Sequence, residues 1–199
     1  CGVELVGRES SRVCLGNRRL AVIDPSPAGH QPMADTSRGT TITFNGMVYN
    51  FRELRERLAA DGERFTSDCD TEVVLKAYGR YGPDCVHHLR GMFAFAIWDE
   101  PRGRLFLARD RLGIKPLYYF HEGERLLCAS HVKALLATGL VSPRLSPTGI
   151  ETYLSYGAVS EPWTAIDGVW ALPAGHRAVF RDGELRVERY WKPPARPTR

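Results

Sequence analysis

The chain has 199 residues, of which 43% are apolar and 25% charged, and this is the composition of an ordinary water-soluble globular protein. Its net charge of +4 is spread along the chain without a dense basic block, so nucleic-acid binding is not expected. No apolar run approaches the roughly 18 residues that cross a membrane, and no signal peptide is recognisable, so we expect a cytoplasmic protein without membrane contact.

The five cysteines indicate neither a disulfide framework nor a metal site. They are odd in number and form no Cys-x-x-Cys pair. Cys14, Cys85 and Cys128 lie in apolar runs, which predicts that they are buried filler. Cys1 differs from them because it heads the chain.

The first half of the chain predicts strands followed by two amphipathic helices. Apolar or alternating runs predict strands at residues 14–16, 20–24 and 40–44. Residues 25–33 contain three prolines and predict a loop. The helices are expected to begin at Asn50 and at Asp70.

The second half predicts hairpins, and it begins with residues 93–98, whose continuous apolar run suits a strand covered on both faces. Further strands are predicted at residues 105–108, 117–120, 126–129, 177–180 and 185–191. Short helices are expected at residues 131–138, capped by Ser130, and from Ser146 onward. Blocks of hairpins and helices indicate an α+β fold with mainly antiparallel sheets. Residues 1–191 are expected to form the domain and residues 192–199 a linker.

Asn45-Gly46 is the first feature that suggests chemistry. This dipeptide readily accepts positive φ angles, so it is expected to end the preceding strand sharply. A side-chain amide and a backbone N–H aimed at one point can stabilise a developing oxyanion. The alternative is an ordinary hairpin turn.

Three other residues could complete a site around Asn45-Gly46. Cys1 could be a nucleophile whose own α-amino group is the base, or residue 1 could be only the point where the sequence begins. Arg19 could hold a carboxylate or form a surface ion pair. Asp70 could receive an ammonium group or cap its helix, and a carboxylate can do both. Together these are the groups needed to hold an α-amino acid and attack its side-chain amide.

From about residue 15 to residue 191 the chain resembles the glutamine-hydrolysing domain of bacterial B-type asparagine synthetases. That domain is a class II glutamine amidotransferase, an N-terminal nucleophile hydrolase. The segments that carry the resemblance are Leu15-Gly-Asn-Arg-Arg-Leu-Ala-Val-Ile-Asp24, Ser26-Pro-Ala-Gly-His-Gln-Pro-Met33, Phe44-Asn-Gly-Met-Val-Tyr-Asn50, Asp70-Thr-Glu-Val73, Leu89-Arg-Gly-Met-Phe-Ala-Phe-Ala96, Leu107-Ala-Arg-Asp-Arg-Leu-Gly-Ile-Lys-Pro-Leu-Tyr-Tyr119, Leu172-Pro-Ala-Gly-His176 and Arg189-Tyr-Trp191.

The resemblance implies a four-layer αββα sandwich with a glutamine site at one end of the sheets. By motif position, Asn45 and Gly46 would form the oxyanion hole and Asp70 would take the α-amino group. Arg19 would bind the α-carboxylate. The pocket would be lined by Leu20, Ala21, Val22, Ile23 and Met47. No cofactor is implied in this domain; ATP and magnesium would act in a separate synthetase domain or subunit that receives the ammonia.

The chain departs from the family pattern in three ways. Only residues 2–18 separate Cys1 from Arg19, and the Arg-Gly-Pro-Asp motif of the family is absent. Cys1 therefore aligns at least as well with a strand beyond that motif, and in that alignment Cys1 is not the nucleophile and the first strands of the domain are missing. Met47 stands where the family usually has Glu, and Asn17 where it often has His. The Ser-Gly-Gly-x-Asp-Ser pyrophosphate loop is also absent, so the ATP-dependent step is expected elsewhere.

Two hypotheses follow from these observations. Either the chain is a glutaminase that feeds ammonia to a synthetase partner, or it is a nucleophile-less, inactive amidotransferase-like domain that binds glutamine or packs against a partner. The sequence leaves a homodimer open. The sequence of this domain does not determine which acceptor molecule is amidated.

Overall fold

The computed structural model describes residues 2–6, 13–18, 23–24 and 26–194. The helices are α1 (Phe51–Ala60), α2 (Asp70–Tyr81), α3 (Val132–Leu136) and α4 (Pro147–Tyr156), with 3₁₀ helices at Pro27–Gly29 and Gly82–His88. The strands are β1 (Gly2–Val6), β2 (Val13–Asn17), β3 (Met33–Asp35), β4 (Thr40–Val48), β5 (Gly91–Asp99), β6 (Arg104–Arg109), β7 (Tyr118–Glu122), β8 (Arg125–Ala129), β9 (Val169–Ala171), β10 (His176–Arg181) and β11 (Glu184–Arg189).

The described strands form three antiparallel sheets. The largest has six strands in the order β11-β10-β6-β5-β4-β3, and the others are β8-β7-β9 and β1-β2. The longest pairing joins β4 to β5 over nine residues, from Thr40 opposite Asp99 to Val48 opposite Gly91. β5 is one of the two middle strands of this sheet, and β4 lies between it and the edge strand β3.

β5 separates two cores because its side chains alternate between the faces of the large sheet. Phe93, Phe95 and Ile97 pack on one face against apolar residues of α1 and α2 such as Leu58 and Val73. The apolar spacing that predicted both helices therefore faces this core.

The opposite face of the large sheet packs against the smaller sheets. Ala94, Ala96 and Trp98 of β5 share this core with Leu15 of β2 and with residues of β7 and β8. On the outer side of the β8-β7-β9 sheet, a third core contains Leu135 of α3. The order is helices, sheet, sheet, helix, which confirms the predicted αββα sandwich.

The structure corrects several local predictions. β4 continues through Asn45-Gly46 to Val48, so this dipeptide neither ends the strand nor forms a hairpin turn. Met33 begins a strand, although it was predicted to close a loop. α3 is shorter than predicted and follows His131, so Ser130 is not its cap. The three-residue β9 was not predicted.

The predictions for the cysteines are confirmed only in part, and the described residues do not confirm the strand at residues 20–24. Cys85 is buried and Cys128 half-buried, but Cys14 is exposed because Leu15 is the residue of β2 that faces inward. The strand predicted at residues 20–24 falls largely outside the described residues, and Asp24 has a φ of 81°, which is not a strand conformation. Within the described part of the chain, no helix is long and apolar enough to cross a membrane.

Asp35 at the end of β3 predicts a stability that depends on pH. Burial alone would raise its pKa, but hydrogen bonds from Ser37, Lys76 and Arg38 lower it from 3.8 to about 2. The ionised carboxylate therefore stabilises the fold above the ordinary pKa, and this contribution is lost as the pH falls towards 2.

We expect the free energy of unfolding to fall by about 2 kcal/mol between about pH 5 and pH 2 because of Asp35 alone. Denaturant unfolding of the unaltered chain and of Asp35→Asn measures this contribution as the difference between their pH profiles. Asp68→Asn is the matched control, since the side chain of Asp68 is exposed. If the free energy of unfolding fell equally with pH in the Asp35→Asn variant and in the unaltered chain, the assignment would be contradicted.

Candidate functional site

One cavity of about 790 Å³ lies at the end of β4, beside the space between the sheets. Its volume is typical of a small-molecule site. Five of the predicted site residues line it: Ile23, Asn45, Gly46, Met47 and Asp70. The other predicted residues, Cys1, Arg19, Leu20, Ala21 and Val22, lie outside the described residues.

The outer edge of β4 provides backbone donors to this cavity, since β3 pairs only with the first three residues of β4. N–H groups of alternate residues point to the same edge of an antiparallel strand. Along this edge the N–H of Phe44 donates to Oε1 of Gln31 over 2.7 Å, and that of Val48 donates to Oδ2 of Asp70 over 2.9 Å. The N–H of Gly46 lies between these two and points the same way.

The pairing across β4 and β5 leaves the Gly46 N–H out of the sheet ladder. Phe93 is opposite Gly46. The N–H of Phe93 donates to Oδ2 of Asp110 over 3.2 Å, and its carbonyl accepts from the Asp110 N–H over 2.8 Å. Both backbone groups of Phe93 therefore face β6, and Gly46 and Phe93 form a non-hydrogen-bonded pair.

Position 46 requires glycine for steric reasons. A Cβ atom there would overlap the carbonyl oxygen of Met92 and would lie 2.7 Å from Cα of Phe93. The glycine thus allows β4 and β5 to approach closely while the N–H at position 46 stays on the cavity side.

Asn45 supplies a second donor next to the Gly46 N–H. Its side chain is exposed at the cavity, and it makes no hydrogen bond within the part of the chain that the structure describes. It is opposite Ala94, whose small side chain also lines the cavity. The geometry is that of two adjacent N–H donors at the surface of one pocket, as an oxyanion hole requires.

Asp70 lies at the other end of this edge. It is the first residue of α2 and only 4% exposed, and its Oδ2 accepts from the N–H of Val48. The alternative prediction that it caps the helix is wrong, because Cys69 is in the capping position and no side chain caps α2. The carboxylate instead ties α2 to β4 at the cavity.

Glu72, in the first turn of α2, holds the loop that leads into Asp70. Its carboxylate accepts from the backbone N–H groups of Thr66 and Ser67 over 2.7 to 3.1 Å, and also from both of their hydroxyls. These bonds fix the loop before α2 and therefore the position of the Asp70 carboxylate.

Gln31 is a site residue that the sequence reasoning missed. It is 3% exposed, accepts from the Phe44 N–H through Oε1 and donates through Nε2 to Oγ1 of Thr71 over 3.1 Å. It thus joins β4 to α2 beside Asp70. The only sequence signal was its place in the quoted Ser26–Met33 motif, within a predicted loop.

Arg109 and Asp110 position a second wall of the cavity. The fully buried Asp110 carboxylate accepts from the backbone N–H groups of Leu112, Ile114 and Lys115 as well as Phe93. Arg109 donates to backbone carbonyls of the same loop and to Glu161. The loop carries residues 115–117, which line the cavity.

Cys128 also lines the cavity but is not prepared for nucleophilic attack. Burial raises the pKa of its thiol to about 11. The thiol is therefore protonated at neutral pH, and a protonated thiol is a poor nucleophile. Among the described residues, no group of three or more His, Cys, Asp and Glu side chains could hold a metal ion.

The comparisons with known proteins match this architecture. The family model described as the glutamine amidotransferase domain matches residues 6–191. The chain is 43% identical over 182 residues to asparagine synthetase [glutamine-hydrolyzing] 3 of Bacillus subtilis, and this match covers 90% of the chain and 30% of the relative. It is 33% identical over 211 residues to a putative asparagine synthetase 2 of Methanocaldococcus jannaschii, covering 97% of the chain and 40% of the relative.

Two solved structures share the fold. The glutamine phosphoribosylpyrophosphate amidotransferase of B. subtilis aligns with a TM-score of 0.56 and 21% identity over 81% of this chain and 32% of that one. A second structure, of the allosteric regulatory enzyme of purine biosynthesis, aligns with a TM-score of 0.59 and 20% identity. This alignment covers 87% of this chain and 34% of that one. The chain therefore spans about a third of the length of each of these four proteins.

Proposed function

Because this chain belongs to the glutamine amidotransferase domain family, we propose that its cavity binds glutamine and that the side-chain amide is hydrolysed there to glutamate and ammonia. The observation that carries the proposal is that the Asn45 amide, the Gly46 N–H and the Asp70 carboxylate meet at one cavity. These groups match the amide oxygen and the α-ammonium group of glutamine.

The spacing of these groups fits an extended glutamine molecule. The Asp70 carboxylate is bonded to Val48, and Val48 lies three residues after Asn45 on β4. The oxyanion donors and the carboxylate are therefore attached to the strand at points roughly 10 Å apart. This is about the length of glutamine with a hydrogen bond at either end. In the proposed complex the ammonium group lies at Asp70 and the α-carboxylate at Arg19. The carboxamide then lies at Asn45-Gly46, beside Met47 and the segment of residues 20–23.

Hydrolysis at this position requires a thiolate, and Cys1 is the candidate. The α-amino group of Cys1 takes the thiol proton, and the thiolate then adds to the amide carbon. The oxyanion formed is held by the Asn45 amide and the Gly46 N–H. Ammonia leaves with a proton from the α-amino group, and water then hydrolyses the thioester to glutamate and regenerates the thiol. Gly2, which follows Cys1, lies against a hollow that shares residues 16–18 with the main cavity.

Ammonia release from glutamine tests the proposal, together with labelling by an electrophilic glutamine analogue and peptide mapping. We expect equal amounts of glutamate and ammonia, and the label on Cys1. Glutamine binding without turnover or label would support the alternative of an inactive binding domain. Absence of glutamine binding would contradict the proposed function as a whole.

The ammonia is proposed to serve a synthetase region outside this chain. The relatives named above are asparagine synthetases of which this chain spans only 30% and 40%. We propose that ATP and magnesium act in that region and that the present domain uses no cofactor. A cytoplasmic location is part of the same proposal.

A further inference from the structure

Asn17, the last residue of β2, is fixed against β4 by its side-chain nitrogen. Nδ2 donates to Oγ1 of Thr43 over 3.1 Å and to the carbonyl oxygen of Phe44 over 3.2 Å. A carbonyl oxygen can only accept, so these bonds determine which end of the Asn17 amide is the nitrogen. The amide oxygen, Oδ1, is therefore the end of the amide that is not bonded to β4.

This oxygen is an unpaired acceptor on a residue that lines the cavity. Asn17 lines the cavity, and its Oδ1 is buried without a hydrogen-bond partner among the described residues. A buried polar atom without a partner is unfavourable and calls for an explanation. Its neighbours do not supply one, because Gln31 is bonded at both ends and the Thr43 hydroxyl donates to the carbonyl of Gly16.

The Asn17 amide is bonded to Thr43, which lies two residues before Asn45 on β4. Thr43 and Asn45 are two residues apart on β4, so their side chains project from the same face at roughly 7 Å from each other. Two hydrogen bonds of about 2.9 Å with a carboxamide between them span a similar distance. A primary amide can therefore place its oxygen at Asn45-Gly46 and its nitrogen at Asn17.

We infer that Oδ1 of Asn17 accepts a hydrogen bond from the carboxamide nitrogen of glutamine, which makes Asn17 a specificity-determining residue. This inference rests on the proposed function of the same cavity. A carboxamide offers two N–H donors, whereas a carboxylate or an ester offers none at this position. A site with an acceptor at this point favours the amide over the acid and the ester, since either would leave the acceptor unpaired or face it with another oxygen.

The test compares glutamine with the γ-methyl ester of glutamate, whose leaving group has no N–H. We expect Asn17→Leu to lower kcat/KM for glutamine about tenfold more than for the ester, a difference of about 1.4 kcal/mol. A loss of packing or of the bonds to β4 would lower both values equally, and an equal loss would overturn the inference. Asn17→Ala is the second variant if leucine disturbs folding.

Binding measurements separate this inference from the proposed function. If the unaltered chain turns over neither substrate, the hydrolytic function fails. The inference is then tested by titration calorimetry with glutamine and glutamate. Asn17→Leu is expected to reduce the preference for glutamine about tenfold, and an unchanged preference would refute the role of Asn17.

Discussion

Asn45→Ala is expected to lower kcat for glutamine hydrolysis by about 10²- to 10³-fold, because it removes one of two oxyanion donors. The oxyanion exists only in the transition state and the intermediate, so KM is expected to change little. The side chain makes no hydrogen bond within the described residues, and its removal is therefore expected to leave the fold intact. Steady-state assays of ammonia release, with circular dichroism to verify folding, measure this effect.

Asn50→Ala is the matched control for Asn45→Ala. This second asparagine lies five residues further along the chain, donates to the carbonyl of His88 and accepts from the N–H of Arg90. Its loss is expected to lower the free energy of unfolding by about 1 kcal/mol without lowering kcat. Equal kcat values for the Asn45→Ala and Asn50→Ala variants would contradict the oxyanion assignment.

Asp70→Asn is expected to raise KM for glutamine by roughly 30- to 150-fold with a smaller change in kcat. The substitution keeps an oxygen that can accept from the Val48 N–H, but it removes the charge that pairs with the α-ammonium group. A hydrogen bond to a charged group contributes about 2–3 kcal/mol, which gives this range. Initial rates over a wide range of glutamine concentration measure the change.

Asp68→Asn provides the comparison for Asp70→Asn. Asp68 lies two residues earlier, and its side chain is 93% exposed. The substitution removes the same charge from the loop just before α2, at a residue that does not line the cavity, and we expect KM to stay within about twofold. Similar increases in KM for the Asp68→Asn and Asp70→Asn variants would indicate a general effect of charge and contradict the binding role.

The sequence identified residues that share one cavity, but it did not predict the backbone that carries them. Asn45, Gly46 and Asp70 were identified from their residue types and motif, and they do line one cavity. The expected turn at Asn45-Gly46 was wrong because local preference yields to nine residues of pairing with β5. Glycine is needed at position 46 for close approach of two strands, and a turn rule cannot detect that requirement.

Other parts of the site depend on contacts between distant segments and were not predictable from local pattern. Gln31 joins a predicted loop to Phe44 and Thr71, 13 and 40 residues away. Asp110 is an acidic residue after an apolar strand, and only the fold shows that backbone donors surround its carboxylate. The α+β class, by contrast, followed from apolar periodicity, which reflects burial that is repeated along whole elements. The four-layer arrangement was implied by the family resemblance of the motifs.

The most direct test of the glutamine site is a crystal structure of the Cys1→Ala chain with glutamine bound. We predict that the carboxamide oxygen lies about 2.7–3.1 Å from both Nδ2 of Asn45 and the backbone nitrogen of Gly46. The ammonium group is predicted to contact the Asp70 carboxylate. Glutamine bound outside this cavity, or bound in it with the carboxamide turned away from Gly46, would contradict the account.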